Sequence, residues 1–130
     1  MNSILPYNSP IIEATVAGHD ERYHLTTLDF SGVPVLISHK DLPIGQSVRL
    51  RILARDVSIT LERQSGTSIL NIIPAQVEAL SEENPAQLMV QLKTGGGSLL
   101  SRITRKSASV LQLAPGKPVF AQVKSVAMLG

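Results

Sequence analysis

Three histidines, His19, His24 and His39, are the only imidazoles in the chain. His19 and His24 stand five positions apart, with Asp20 and Glu21 between them. A zinc-binding helix needs two histidines four apart around a glutamate, so this segment reads as a solvated turn, not a metal site. Carboxylates do not pair into an acid and a base. Asp56 beside Arg55 reads as a strand-end ion pair or turn cap, and Glu82 and Glu83 fall in a polar loop. All the histidines fall within the first forty residues, far from most serines, so no Ser-His-Asp arrangement can be argued. Cysteine is absent, which removes disulfides, thiolate catalysis and zinc-cysteine sites and fits a reducing compartment. Gly95-Gly96-Gly97 lies between two strand patterns, whereas a phosphate loop leads into a helix; it reads as a hairpin turn. With no G-x-x-x-x-G-K-[ST] pattern, the chain is expected neither to bind nor to hydrolyse ATP, and no enzyme is expected.

The elements that must position any binding residue are strands. Val48, Leu50 and Ile52 alternate with Arg49 and Arg51, and Val57, Ile59 and Leu61 alternate with Ser58, Thr60 and Glu62. Leu88, Val90 and Leu92 alternate with Gln87, Met89 and Gln91; Leu99, Ser101 and Ile103 lie opposite Leu100 and Arg102. Such alternation puts one face in a core and one in water. Turn residues at Gly18-His19-Asp20, Ser31-Gly32, Pro43-Ile44-Gly45, Asn84-Pro85 and Pro115-Gly116 separate the strands, which predicts a sandwich or barrel. One short helix is expected at 105–113, capped by Thr104, with Val110, Leu111 and Leu113 inward and a stop at Ala114-Pro115-Gly116. A weaker helical turn is expected at His39–Leu42.

The pattern occurs twice. Ile11-Ile12-Glu13-Ala14-Thr15-Val16 is answered by Ile72-Ile73-Pro74-Ala75-Gln76-Val77, and Leu42-Pro43-Ile44-Gly45 by Leu113-Ala114-Pro115-Gly116. Arg55-Asp56-Val57 is answered by Lys124-Ser125-Val126, with two extra residues in the first copy. The expected division is a lead-in at 1–10, a first unit at 11–62, a junction at 63–70 and a second unit at 71–130. Units of about sixty residues are too small to be robust alone, so they should pack as one body.

Composition narrows the partners. The 130 residues are 43% hydrophobic and 17% charged, with a net charge of +2 and scattered basic residues. Four aromatics and this charge argue against a nucleic-acid-binding barrel, which needs stacking platforms and a basic groove. No apolar run approaches the length that spans a membrane, so no direct membrane insertion is expected. The opening MNSILPYNSP lacks the basic region and apolar stretch of a signal peptide.

Several segments together resemble a known family. Thr67-Ser68-Ile69-Leu70-Asn71 resembles the T-S-[AI]-R-N opening of the molybdate-binding Mop domain. Ile103-Thr104-Arg105-Lys106-Ser107 resembles its helix start, and Pro115-Gly116-Lys117 with Val123-Lys124-Ser125-Val126 its closing strand. The first unit, with Leu50 to Ser58, is similar to the TOBE segment of ABC-importer ATPases. The order over about residues 11 to 128 resembles the C-terminal TOBE/Mop domain of molybdate-import ATPases.

That resemblance implies an all-β, OB-like barrel of TOBE/Mop type, built from two related units with one short helix. It implies a cytoplasmic regulatory and dimerisation domain, peripheral to the membrane. Its partners would be a second copy, the ATPase domain of the same longer chain and, indirectly, the transporter's membrane subunit. No cofactor is required; the implied ligand is molybdate or tungstate, held by hydroxyls, N–H groups and a cation. The matching positions are Ser68, Thr104, Ser107, Lys124 and Ser125, against the plainer reading of Thr104 and Ser107 as a helix cap. Leu70 stands where the family motif has arginine, removing a bidentate donor; Arg102, Arg105 and Lys106 are the nearby cations that could take its place. The competing resemblance is to free-standing Mop-type molybdate proteins, though only the second unit here carries the T-S-x-x-N opening.

Overall fold

The computed structural model describes residues 9–129, so most of the lead-in expected at 1–10 lies outside the described residues. The strands are β1 (Ile11–Asp20), β2 (Leu25–Phe30), β3 (Val33–Ser38), β4 (Ser47–Arg51), β5 (Val57–Thr60), β6 (Asn71–Asn84), β7 (Gln87–Lys93), β8 (Ser98–Thr104), β9 (Pro118–Val123) and β10 (Ala127–Leu129). A 3-10 turn spans Ala54–Asp56, and one helix, α1, spans Arg105–Val110. Two five-stranded sheets run in the orders β10-β4-β1-β2-β3 and β5-β9-β6-β7-β8.

The repeat is visible in the backbone. In each copy the first strand has an irregularity, between Val16 and Gly18 and between Val77 and Ala79. There the Val16 carbonyl accepts from Gly45 N–H at 2.8 Å and the Val77 carbonyl from Gly116 N–H at 2.7 Å. Both glycines have positive φ, 96° and 94°, a conformation that glycine adopts without steric cost. The last strand of each copy is exchanged: β5 joins the sheet of the second copy and β10 that of the first. Neither copy therefore completes its sheet alone. One core joins Ile12, Leu28 and Leu50 of the first copy to Ile73, Leu92 and Val119 of the second.

Alternation holds cleanly in β1, where Ile12, Ala14 and Val16 are buried and Ile11, Glu13 and Thr15 exposed. It fails in β7 and β8, because Met89 and Leu100, on the faces expected to meet water, pack with Ala54 in a second, small cluster. The helix ends three residues earlier than expected, by a backbone closure and not at the proline. Leu113 N–H reaches the Ala108 carbonyl at 3.0 Å and Gln112 N–H the Ser109 carbonyl at 3.1 Å, with Gln112 left-handed at φ 53°. Lys117 Nζ also donates to the Leu111 carbonyl at 2.7 Å, at the negative end of the helix. Val110 consequently points to solvent, and Ala108 takes the inward position. No helical turn forms at His39–Leu42. Thr26 Oγ1 binds the Lys40 N–H, and Pro43 disfavours helical geometry at Leu42.

Candidate functional site

A groove of about 810 Å³ opens where the first sheet curls on itself. β3 and β10 are opposite edges of that sheet, yet Leu36, Ile37 and Ser38 of β3 line the same groove as Met128 of β10. The gap between the edges is occupied by residues 68–71, leading into β6. The Asn71 side chain holds this segment in place by binding both backbone groups of Leu36 on β3. The groove floor is the crossing from β9 to β10, Lys124-Ser125-Val126, where Lys124 N–H donates to the Asp56 carbonyl at 2.8 Å.

The polar lining is Ser38, Lys40, Ser68, Asn71, Lys124 and Ser125, and no aspartate or glutamate is among the lining residues. Hydroxyls and ammonium groups without a carboxylate suit an anion and repel a cation. Of the five positions expected from sequence, Ser68, Lys124 and Ser125 come together here. Thr104 and Ser107 do not line the groove. Thr104 Oγ1 accepts from Ser107 N–H at 3.0 Å and lies 2.9 Å from Ser107 Oγ, a cap at the exposed start of α1. Leu70, 61% exposed, is on the groove wall, so the position that carries arginine in the Mop motif does open onto this space.

The cations expected to replace that arginine are elsewhere. Arg102 Nε pairs with Glu83 at 2.8 Å and Arg105 with Glu82 at 3.1 Å, tying β8 and the helix start to β6. Lys106 is exposed on α1 and is not a lining residue. The second lysine of the groove is Lys40, which sequence reasoning missed. Its only signal was its place in the repeat.

The repeat gives the groove a counterpart in the second sheet, and that counterpart is closed. Val16 pairs with Leu28 and Leu28 with Val35, as Val77 pairs with Leu92 and Leu92 with Leu99. Counting from these pairs, Leu25, Leu36 and Lys40 correspond to Met89, Leu100 and Thr104. Ala54, one of the two extra residues of the first copy, fills the space with Met89 and Leu100 at 2%, 4% and 5% exposure. Ser101 Oγ then donates to the Val57 carbonyl at 2.6 Å and joins the two sheet edges. Asp56 also stands where the open groove has Ser125, so the closed side carries a carboxylate. An insertion of two residues thus separates an open, cationic groove from a plugged one.

Among the described residues no group of three or more His, Asp and Glu side chains is placed to hold a metal ion. His19 ends β1 half-buried, not in a solvated turn; its ring lies 5.0 Å from that of His39. His19 Nε2 meets the Leu42 carbonyl at 2.8 Å and its Nδ1 meets Thr26 Oγ1 at 3.0 Å. A carbonyl only accepts, so Nε2 carries the proton and, in the neutral ring, Nδ1 accepts from Thr26. Among the described residues no helix is long and apolar enough to cross a membrane.

The chain has relatives among known proteins. Residues 67–129 match the TOBE domain family. Over 92% of its length the chain is 49% identical to the molybdenum import ATP-binding protein ModC of Albidiferax ferrireducens and 50% identical to that of Aromatoleum aromaticum. ModC 1 of Azotobacter vinelandii is 46% identical over the same share. The chain spans about a third of the length of these relatives, 32–34%. In fold it is similar to a solved structure of the cytoplasmic molybdate-binding protein ModG with molybdate bound, at a TM-score of 0.72 and 19% identity, covering 92% of this chain and 96% of that one. By its match to the TOBE domain over residues 67–129 and its likeness to ModC proteins, the chain is similar to the C-terminal third of molybdenum import ATP-binding proteins.

Proposed function

We propose that this chain is the regulatory and dimerisation domain of a molybdate-import ATP-binding protein, and that its groove binds molybdate or tungstate. The observation that carries the reading is the lining itself: among the described residues, two lysines, three serines and an asparagine, without an aspartate or glutamate, in a chain related to ModC. A tetrahedral dianion needs donors from several directions, and the crossing Lys124-Ser125 and the rim residue Ser68 supply them from two chain segments. Thr104 and Ser107 sit apart from this set on the exposed start of α1.

The ATPase would lie on the same longer polypeptide. This domain itself binds no nucleotide and catalyses nothing. It would work on the cytoplasmic side, reaching the transporter's membrane subunit only through the ATPase. A free-standing molybdate-binding protein, favoured by the fold likeness to ModG, is the second reading. The 46–50% identity to ModC proteins, against 19% to ModG, favours the first. A single-stranded nucleic acid would need aromatic platforms, and among the described residues lining the groove there are none.

Calorimetric titration with molybdate, tungstate and sulfate, paired with light scattering, tests this. Saturable heat with molybdate or tungstate, one anion per chain, and a dimer mass are expected. Absence of heat from a folded chain ends the oxyanion reading. A monomer from micromolar to millimolar concentration ends the dimer reading.

A further inference from the structure

We propose that Lys40, from the first repeat, is an anion-binding residue of the groove and supplies the positive charge that Leu70 does not. The proposal rests on the oxyanion reading above and names a determinant that the sequence motifs do not contain. Among the described residues lining the groove, Lys40 and Lys124 are the only two that are charged, and they lie 84 positions apart on opposite sides of the repeat. The other candidate arginines, Arg102 and Arg105, are paired with Glu83 and Glu82 away from it.

The backbone at Lys40 is fixed although its side chain is exposed. Thr26 is fully buried, and its hydroxyl accepts from the Lys40 N–H at 3.0 Å and lies 3.0 Å from His19 Nδ1. His39 N–H is tied to the His24 carbonyl at 2.9 Å, and Leu42 N–H to the Lys40 carbonyl at 2.8 Å. Ties on both sides of Lys40 set where its stem begins, which reduces the conformational entropy lost when the ammonium engages an anion. A dianion between two lysines meets balanced charge, whereas Lys124 alone leaves one negative charge uncompensated in a half-enclosed space. In the plugged counterpart the same position is Thr104, uncharged, which agrees with a role for the lysine specific to the open groove.

The test is calorimetric titration of molybdate at fixed salt into the wild-type chain, Lys40→Met and Lys40→Arg. Lys40 is held through its backbone, so both variants should fold, as a melting curve checks. Methionine keeps the stem and removes the charge. A charge-assisted bond corresponds to about a ten- to hundred-fold change in affinity, so Lys40→Met should weaken binding by about that factor. Lys40→Arg should restore most of it. Binding in the wild type with equal affinity in Lys40→Met overturns the role of Lys40 and leaves the oxyanion reading standing. No binding in the wild type overturns both.

Discussion

Asn71 acts as a strand partner for Leu36: its side-chain oxygen accepts from the Leu36 N–H at 2.7 Å and its amide donates to the Leu36 carbonyl at 2.9 Å. β3 is an edge strand, and this one residue satisfies the two backbone groups that a further strand would have bonded. The asparagine of the T-S-x-x-N motif is thus a clasp that holds Ser68 and Leu70 against the first sheet.

Asn71→Ala should destabilise the chain by about 1–3 kcal/mol, the net worth of two half-buried hydrogen bonds. Asn71→Asp should be at least as harmful at neutral pH, because a carboxylate oxygen then faces the Leu36 carbonyl. Urea midpoints of the three chains measure this. An unchanged midpoint in Asn71→Ala would show that water replaces the clasp without loss.

Gly97 sits against the ring of Phe30, so that a Cβ there would lie 2.5 Å from the ring's Cζ. The glycine hairpin between β7 and β8 is therefore a packing contact between the two sheets and not only a flexible turn. Gly97→Ala should cost about 1–3 kcal/mol through overpacking, with a lowered melting temperature. The double variant Gly97→Ala, Phe30→Leu should recover part of it. Additive losses in the pair would remove the contact as the cause.

The strands and the repeat were legible because alternation with period two and glycine at Gly45 and Gly116 are local signals. The exchange of β5 and β10 between sheets was not, since pairing partners 60 to 80 residues apart leave no local mark. The groove was half legible. Ser68, Lys124 and Ser125 belong to motifs, but Lys40 comes from the other repeat and meets them only through the curl of the first sheet. Met89 and Leu100 were misjudged for a related reason: only the folded chain shows that Ala54, one of the two extra residues, fills the counterpart groove with them.

Gln112 closes α1 in left-handed geometry, φ 53°, a conformation that costs a residue with a Cβ about 1 kcal/mol. Its side chain is exposed, so little packing is lost on truncation. Gln112→Gly should therefore stabilise the chain by up to about 1 kcal/mol, whereas Gln112→Ala should be close to neutral or worse. Thermal melts of the three chains decide it. A lowered melting temperature for the glycine variant would mean that its gain in unfolded-state entropy outweighs the relief of strain.

Leu70 and Lys124 give the groove opposite predictions. Lys124 is the one charged residue that both the motifs and the groove lining name, so Lys124→Ala should lose about ten- to a hundred-fold in molybdate affinity. It should lose more than Ser68→Ala or Ser125→Ala, because charge-assisted hydrogen bonds are about twice as strong as neutral ones. Leu70→Arg should act in the other direction. The position lies on the groove wall and is 61% exposed, so a guanidinium can enter without displacing core atoms and can offer two parallel donors to an oxyanion. Its fold should be unaffected, and its affinity should rise most at low salt, where an added charge is least screened. Titrations at two salt concentrations measure both effects. Equal affinity in the wild type, Lys124→Ala and Leu70→Arg would place the anion outside this groove.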